Sequence, residues 1–273
     1  MYLRDIKYGM MVVEMQYKTL IVDGSYLAHR SYQAPYKLTT RRGLDATLIH
    51  SFIRSLNALF KQFKPFQILI AWESPGTPSW RRALYPSYKH QRTIDIQYVA
   101  ELEDLQILLN LFNIKQFYAP NNEADDVMAR LSIDFNRVDY PLIIFTIDKD
   151  IMQLVGEQCM IYDGKTMYNI NKVKEKFFVW PEQIPDLLAI AGDKSDCIQG
   201  VNGYGFKKTA KLLDVYKDLE SIPEGIIPKD KLMINKKLTK LNYDCSIKKL
   251  IIESRESIES ILDKYELVKM KEK

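Results

Sequence analysis

The chain has 273 residues, 39 basic against 35 acidic for a formal charge of +4, with 47% hydrophobic and 27% charged. That is enough apolar material for an unaided core in one large domain or two small ones, and no apolar run reaches membrane-spanning length. Three scattered cysteines (Cys159, Cys197, Cys245) and three scattered histidines (His29, His50, His90) argue against a disulfide framework or a thiolate or imidazole metal site, leaving hard cations held by oxygen.

Residues 1–17 carry no clear period and no signal-peptide pattern, so they are set apart as an N-terminal extension and a cytoplasmic location is expected. The run Thr19, Leu20, Ile21, Val22, closed by Asp23, Gly24 and Ser25, predicts a buried strand ending in a polar turn. Leu44, Leu48, Phe52, Leu56, Leu59 and Phe63 keep helical spacing on one face, and residues 66–72 form a second strand ending at Glu73. Residues 79–92 interleave Arg81, Arg82, Lys89 and Arg92 with Trp80, Tyr85 and Tyr88. Such interleaving suits a strand of nucleic acid, and equally the polar face of a solvated amphipathic helix.

A helix over about 98–112 and a third strand over 114–118 precede Glu123, Ala124, Asp125 and Asp126, which open another helix. One or two acids there complement the helix dipole, but three repel one another unless a cation offsets them. The clearest central strand, 141–147, ends in Asp148, Lys149 and Asp150, whose two carboxylates converge if the backbone stays extended. A hairpin follows around Asp163 and Gly164, then a short helix over 181–191 that delivers Asp193 and Asp196. Gly203, Tyr204 and Gly205 run into a lysine-bearing helix with Lys207 and Lys208 in its first turn, a backbone suited to a phosphate, although such a hairpin also serves as a plain turn. The tail from Ser246 reads as a packed helix with a solvated face. Strand and helix alternate to about residue 165 and helices follow, which predicts an α/β fold with a mostly parallel sheet.

Nine carboxylates (Asp23, Glu73, Glu123, Asp125, Asp126, Asp148, Asp150, Asp193 and Asp196) fall mainly at strand ends and helix starts, which share one edge of such a sheet. Two hard cations roughly 3.5–4 Å apart would offset their repulsion and suit phosphoryl transfer.

The blocks LIVDGSYLAHRSYQA, SWRRALYPSYKHQR, EADDVMARL, TIDKDIMQLV and GDKSDCIQGVNGYGFKKTAKLL, in that order, resemble the 5′ nuclease family. That family includes the 5′ to 3′ exonuclease domain of bacterial DNA polymerase I, phage 5′ exonucleases and flap endonucleases. The resemblance covers about residues 19–244 and implies a PIN-like α/β nuclease domain over 18–180, its parallel sheet flanked by helices, with a helical arch near 79–112. It further implies a helical region over 181–273 with a helix-three-turn-helix near 192–215. The implied activity is structure-specific hydrolysis of DNA carrying a 5′ flap, a nick or a free 5′ end, by a monomer with two Mg2+ or Mn2+, in replication or repair. Asp23, Glu123, Asp125, Asp126 and Asp148 match the ligands of one metal, and Asp150, Asp193 and Asp196 those nearer the second. Arg81, Lys89 and Arg92 match basic residues at the base of the arch, Lys89 a contact to the scissile phosphate, and Tyr88 a stacking aromatic. Asp23, Asp148, Lys89 and Arg92 are thereby the expected catalytic set, and Gly203, Gly205, Lys207 and Lys208 the duplex anchor. The carbonyls of Val201 and Tyr204 match a potassium site. Glu73 stands where the family usually has aspartate, Cys197 replaces a common asparagine, and Lys208 and Thr209 replace Thr-Ala.

Two other readings use the same residues: a junction-binding protein with a degenerate metal site, and a PIN-like ribonuclease, which needs fewer carboxylates and lacks the helix-three-turn-helix.

Overall fold

The computed structural model describes residues 19–76, 78–91, 95–135, 141–252 and 257–267. Along strand β1 (Thr19–Asp23), side chains alternate between two apolar layers, Ile21 entering one and Leu20 and Val22 the other. Strand β2 (Gln67–Ala71) divides Leu69 and Ala71 from Ile70 in the same way. Next come β3 (Lys115–Tyr118) and β4 (Leu142–Phe145), where Leu142 and Ile144 oppose Ile143 and Phe145. With β5 (Cys159–Tyr162), β6 (Met167–Tyr168) and β7 (Lys248–Lys249), the described strands form one sheet in the order β6-β5-β4-β1-β2-β3-β7. The five central strands are parallel and the two edges antiparallel. The chain runs outward from β1 through β2 to β3, then returns to the other side of β1 for β4. Open sheets bind ligands at the carboxyl ends of the strands beside such a reversal.

One layer is built by α1 (Gly24–Tyr32), α2 (Thr47–Phe63), α4 (Ile96–Leu111) and α10 (Ile258–Lys264), after the short α3 (Trp80–Leu84). The predicted stripe of α2 is real: Leu48, Phe52, Leu56 and Leu59 are buried, each contributing about 1.5–3 kcal/mol by leaving water. The other layer holds α5 (Ala124–Phe135), with Val127, Met128 and Leu131, and α7 (Ile184–Ala191), with Leu187, Leu188 and Ile190. α6 (Ile170–Phe177), α8 (Phe206–Tyr216) and α9 (Lys229–Thr239) extend that core. Among the described residues no helix is long and apolar enough to cross a membrane.

Three expectations need correction. The polar turn after β1 is instead the start of α1, because the Asp23 carboxylate caps it by accepting from the Tyr26 N–H at 2.9 Å. The arch expected near 79–112 does not run through α4, whose Leu105, Leu108 and Leu109 are buried in the α2 layer. The tail does not begin as a helix; Lys248 and Lys249 extend the sheet beside β3, and among its described residues only 258–264 are helical.

Candidate metal centre and nucleic-acid interface

Asp23 ends β1, and its second oxygen accepts from the Thr146 hydroxyl at 2.8 Å, just past the end of β4. Thr146 also accepts from the Asp148 N–H at 3.1 Å, and the Asp148 carboxylate from the Asp150 N–H at 3.0 Å. Asp148 and Asp150 therefore meet through a turn that opens a 3-10 helix, Asp150–Leu154, and not through the alternation of an extended strand. Thr146, wholly buried, ties the two strand ends together.

Asp193 and Asp196 arrive on the loop after α7, closed by reciprocal hydrogen bonds of 2.8 Å between the backbones of Asp193 and Ile198. They are not on the helix itself. Oxygens of Asp150, Asp193 and Asp196 lie within 4.8 Å of one another, and all three residues are buried. Asp150 Oδ1 is buried without a hydrogen-bond partner. Three hard oxygen donors with an orphaned lone pair among them fit a hard divalent cation.

Burial, with Asp148 and Glu73 nearby, pushes the Asp23 carboxyl up to about 7. Burial raises Asp125 and Asp150 as well, each reinforced first by Asp148. Asp23, Asp125, Asp148 and Asp150 thus share one field, with exposed Glu73 at its rim. Asp193 goes the other way: burial opposes its ionisation, but the Lys149 ammonium at 2.6 Å and Ser195 hold it below the usual range. Glu123 is also depressed against burial, because Lys89 donates to its Oε2 at 2.9 Å with Arg81 at 3.8 Å.

Three expected ligands or contacts have other partners. Asp126 is fully buried and bound fork to fork by Arg81 at 2.6 and 2.8 Å, and it also accepts from the Asn242 N–H at 2.8 Å. Both of its oxygens are already engaged by these donors. Arg81 is 2% exposed and donates to the carbonyls of Leu238 and Lys240 as well. Tyr88 is also 2% exposed, and its hydroxyl lies 3.0 Å from a carboxylate oxygen of Glu123 and of Asp196. Lys89 is buried at φ +47°, 3.7 Å from Asp196 as well as paired with Glu123, and so sits at the edge of the acidic centre. Arg92 lies outside the described residues.

Gly203, with φ +77°, and Gly205, the N-cap of α8, are exposed, and a Cβ added to either would meet nothing within 4 Å. The backbone is open to a bulky anion at the start of α8. Exposed Lys207 and Lys208 flank it, Lys208 lying 3.9 Å over the Tyr204 ring. The Val201 carbonyl accepts from the Tyr204 N–H at 3.1 Å, and that of Tyr204 from the Thr209 hydroxyl at 3.3 Å. Thr146, Lys149 and Ser195 were missed as parts of the centre; their place inside the TIDKD and GDKSD blocks was the available signal.

Two family models account for this arrangement: residues 18–178 match the 5′-3′ exonuclease N-terminal resolvase-like domain, and residues 179–273 its C-terminal SAM fold. The chain belongs to the 5′-3′ exonuclease family. It is 32% identical over 243 residues to a 5′-3′ exonuclease of Aquifex aeolicus, spanning 84% of each chain. Identity to a 5′-3′ exonuclease of Mycoplasmopsis pulmonis is 30% over 274 residues, covering 91% of each. The fold superposes with TM-score 0.69 on the phage T5 flap endonuclease, solved as a pseudo-enzyme-product complex with DNA and metal ions, at 21% identity over 82% of this chain and 89% of that one. The exonuclease family's sheet and helical second half are those described above, and the protein is a nuclease.

Proposed function

We propose that this exonuclease hydrolyses DNA phosphodiesters near a 5′ end, at a flap, a nick or a free terminus, with two divalent cations, magnesium or manganese, held by the acidic centre. The observation that carries this reading is the buried group Asp150, Asp193 and Asp196 with an orphaned oxygen, set beside Asp23, Asp125 and Asp148 at the reversal of the sheet. Divalent ions bound there would supply charge stabilisation for the phosphoryl oxygens and lower the pKa of the attacking water. Asp150, Asp193 and Asp196 would hold one ion, and Asp23, Asp125, Asp148 and Glu123 the other, with Glu73 at the rim. Lys89, already between Glu123 and Asp196, is placed to orient the scissile phosphate. The backbone around Gly203 and Gly205, with Lys207 and Lys208, would grip duplex phosphates, and the Val201 and Tyr204 carbonyls would take potassium. The DNA and metal ions bound by the phage T5 enzyme support the same substrate class.

The test is cleavage of a 5′-flap DNA in magnesium. The double variant Asp148→Asn with Asp150→Asn is expected to lose more than about 100-fold in turnover, beyond the usual cost of removing an outer metal partner. Full cleavage by that variant, or in excess chelator, would remove the mechanism. Equal cutting of an RNA flap of the same sequence would replace DNA as the substrate.

A further inference from the structure

Lys149 stands between Asp148 and Asp150 at the start of the 3-10 helix, and there it meets the loop after α7. The two oxygens of Asp193 on that loop are held differently. Oδ1 accepts from the Ser195 N–H at 2.9 Å and from the Ser195 hydroxyl at 2.5 Å, and two donors satisfy the two lone pairs of one carboxylate oxygen. Among the described residues, the ion-pair partner of Oδ2 is the Lys149 ammonium at 2.6 Å, which also donates to Ser195 Oγ at 3.1 Å. Oδ2 is therefore the oxygen that Asp193 can offer, with Asp150 and Asp196, to a metal, and a cation of the chain's own already covers it. The fields of Asp150 and Asp148 also reach that ammonium.

The two ammoniums of the acidic centre are placed with different firmness. The Lys89 side chain is 9% exposed, between Glu123 and Asp196, whereas that of Lys149 is 28% exposed on a flexible four-carbon stem that can turn its charge out into water. Were it to leave, Ser195 would still orient Asp193 through Oδ1. One positive charge offsets only part of the repulsion among Asp150, Asp193 and Asp196. A divalent ion is thus drawn to them, and its net affinity is what remains after the lysine has been displaced.

We propose that Lys149 is a built-in competitor for the cation of the Asp150, Asp193 and Asp196 site: its ammonium covers Asp193 Oδ2 until a divalent ion displaces it, which steadies the acidic cluster without metal and keeps that ion's affinity low. The inference rests on the metal-centre reading above. The experiment titrates the full chain with manganese, followed by electron paramagnetic resonance, and measures melting in chelator and in manganese. Lys149→Met is expected to bind the more weakly held manganese about tenfold tighter than the wild type, because a like charge has gone from its ligands. It should also melt a few degrees lower in chelator and no lower in saturating manganese, where the ion does what the ammonium did. Lys149→Gln removes the charge but keeps a donor for Asp193; it is expected to tighten manganese in the same way and serves should the methionine variant fail to fold in chelator. Lys149→Arg, which keeps the charge, should bind manganese within about twofold of the wild type. Weaker or unchanged manganese binding in the neutral variants overturns the proposal, since the lysine would then only position the loop. Tightening in the arginine variant as well overturns it too, because charge would not be the cause. A wild type that binds no manganese would remove the metal-centre reading, and this inference with it; a wild type that binds the ion no more weakly than Lys149→Met removes this inference alone.

Discussion

Truncating Asp126 would take from the Arg81 guanidinium, in a site that is 2% exposed, its one close carboxylate, leaving two backbone carbonyls and Glu123 at 3.8 Å. Breaking one side of a buried pair typically costs 3–5 kcal/mol, so Asp126→Ala should lower the denaturant midpoint by about that much. At a temperature where the variant stays folded, it should still titrate manganese like the wild type; loss of metal with unchanged stability would return Asp126 to the ligand set. Asp23 makes a second prediction, for protein in chelator. Its folded carboxyl titrates near 7 and its ordinary value is 3.8, so between those values the folded state keeps a proton that the unfolded chain has released. Stability therefore falls as pH rises from about 4 to about 7, and melting in chelator should be lower at pH 8 than at pH 5.5. Magnesium added at pH 8 should reverse the loss, because the ion takes the proton's place; a melting temperature that climbs with pH in chelator would refute this. The sequence showed which residues are acidic but not which acids are already neutralised. Asp125 and Asp126 are adjacent, and a helix turns successive side chains to different sides, so one meets Asp148 and the other Arg81. Nothing local distinguishes them, since Arg81 stands far back in the chain and is held by the carbonyls of Leu238 and Lys240, farther on still.

The loop that carries Asp193 and Asp196 is shaped by two glycines at close quarters. Gly192 sits at φ +82°, and a Cβ there would come within 2.4 Å of the Gly200 nitrogen; one on Gly200 would lie 2.3 Å from the Ala191 carbonyl carbon. Gly200→Ala must therefore push the two ends of the loop apart, at a cost of more than about 2 kcal/mol. The expected result is weaker manganese binding together with a lower melting temperature, whereas Gly205→Ala, where a Cβ meets open space, should leave both near wild type. Elements of this kind were partly legible. The central strands announced themselves as apolar runs, and α2 by its stripe. The 3-10 turn after Asp148 did not, because side-chain acceptors on Thr146 and Asp148 bend it away from the extended strand, nor did the tail strand β7, which hydrogen bonds to distant backbone fix, such as Leu250 N–H to the Gln116 carbonyl at 2.9 Å. The docking of the stretch before α4 was hidden for a related reason: Ser79 to Gln91 reads as exposed only until Arg81, Tyr88 and Lys89 are seen to turn inward.

At the scale of the molecule, the two family segments are stitched by buried polar contacts. Gln153 donates to the Thr239 carbonyl at 3.0 Å and accepts from the Leu241 N–H at 3.1 Å, alongside the Arg81 contacts. The chain should accordingly unfold in one transition by both calorimetry and near-ultraviolet circular dichroism, and Gln153→Ala should separate or broaden it. Two resolved transitions in the wild type would show that these stitches carry little. The same stitching bears on synthesis. A chain still emerging from the ribosome can pair β1, β2 and β4 and expose Asp23, Asp125 and Asp148, yet it lacks the carboxylates of Asp193 and Asp196 and the backbone acceptors that steady Arg81 until translation passes residue 240. A half-made polypeptide of this design carries no finished blade: the carboxylates that close the acidic cluster arrive late, with the helical half of the molecule.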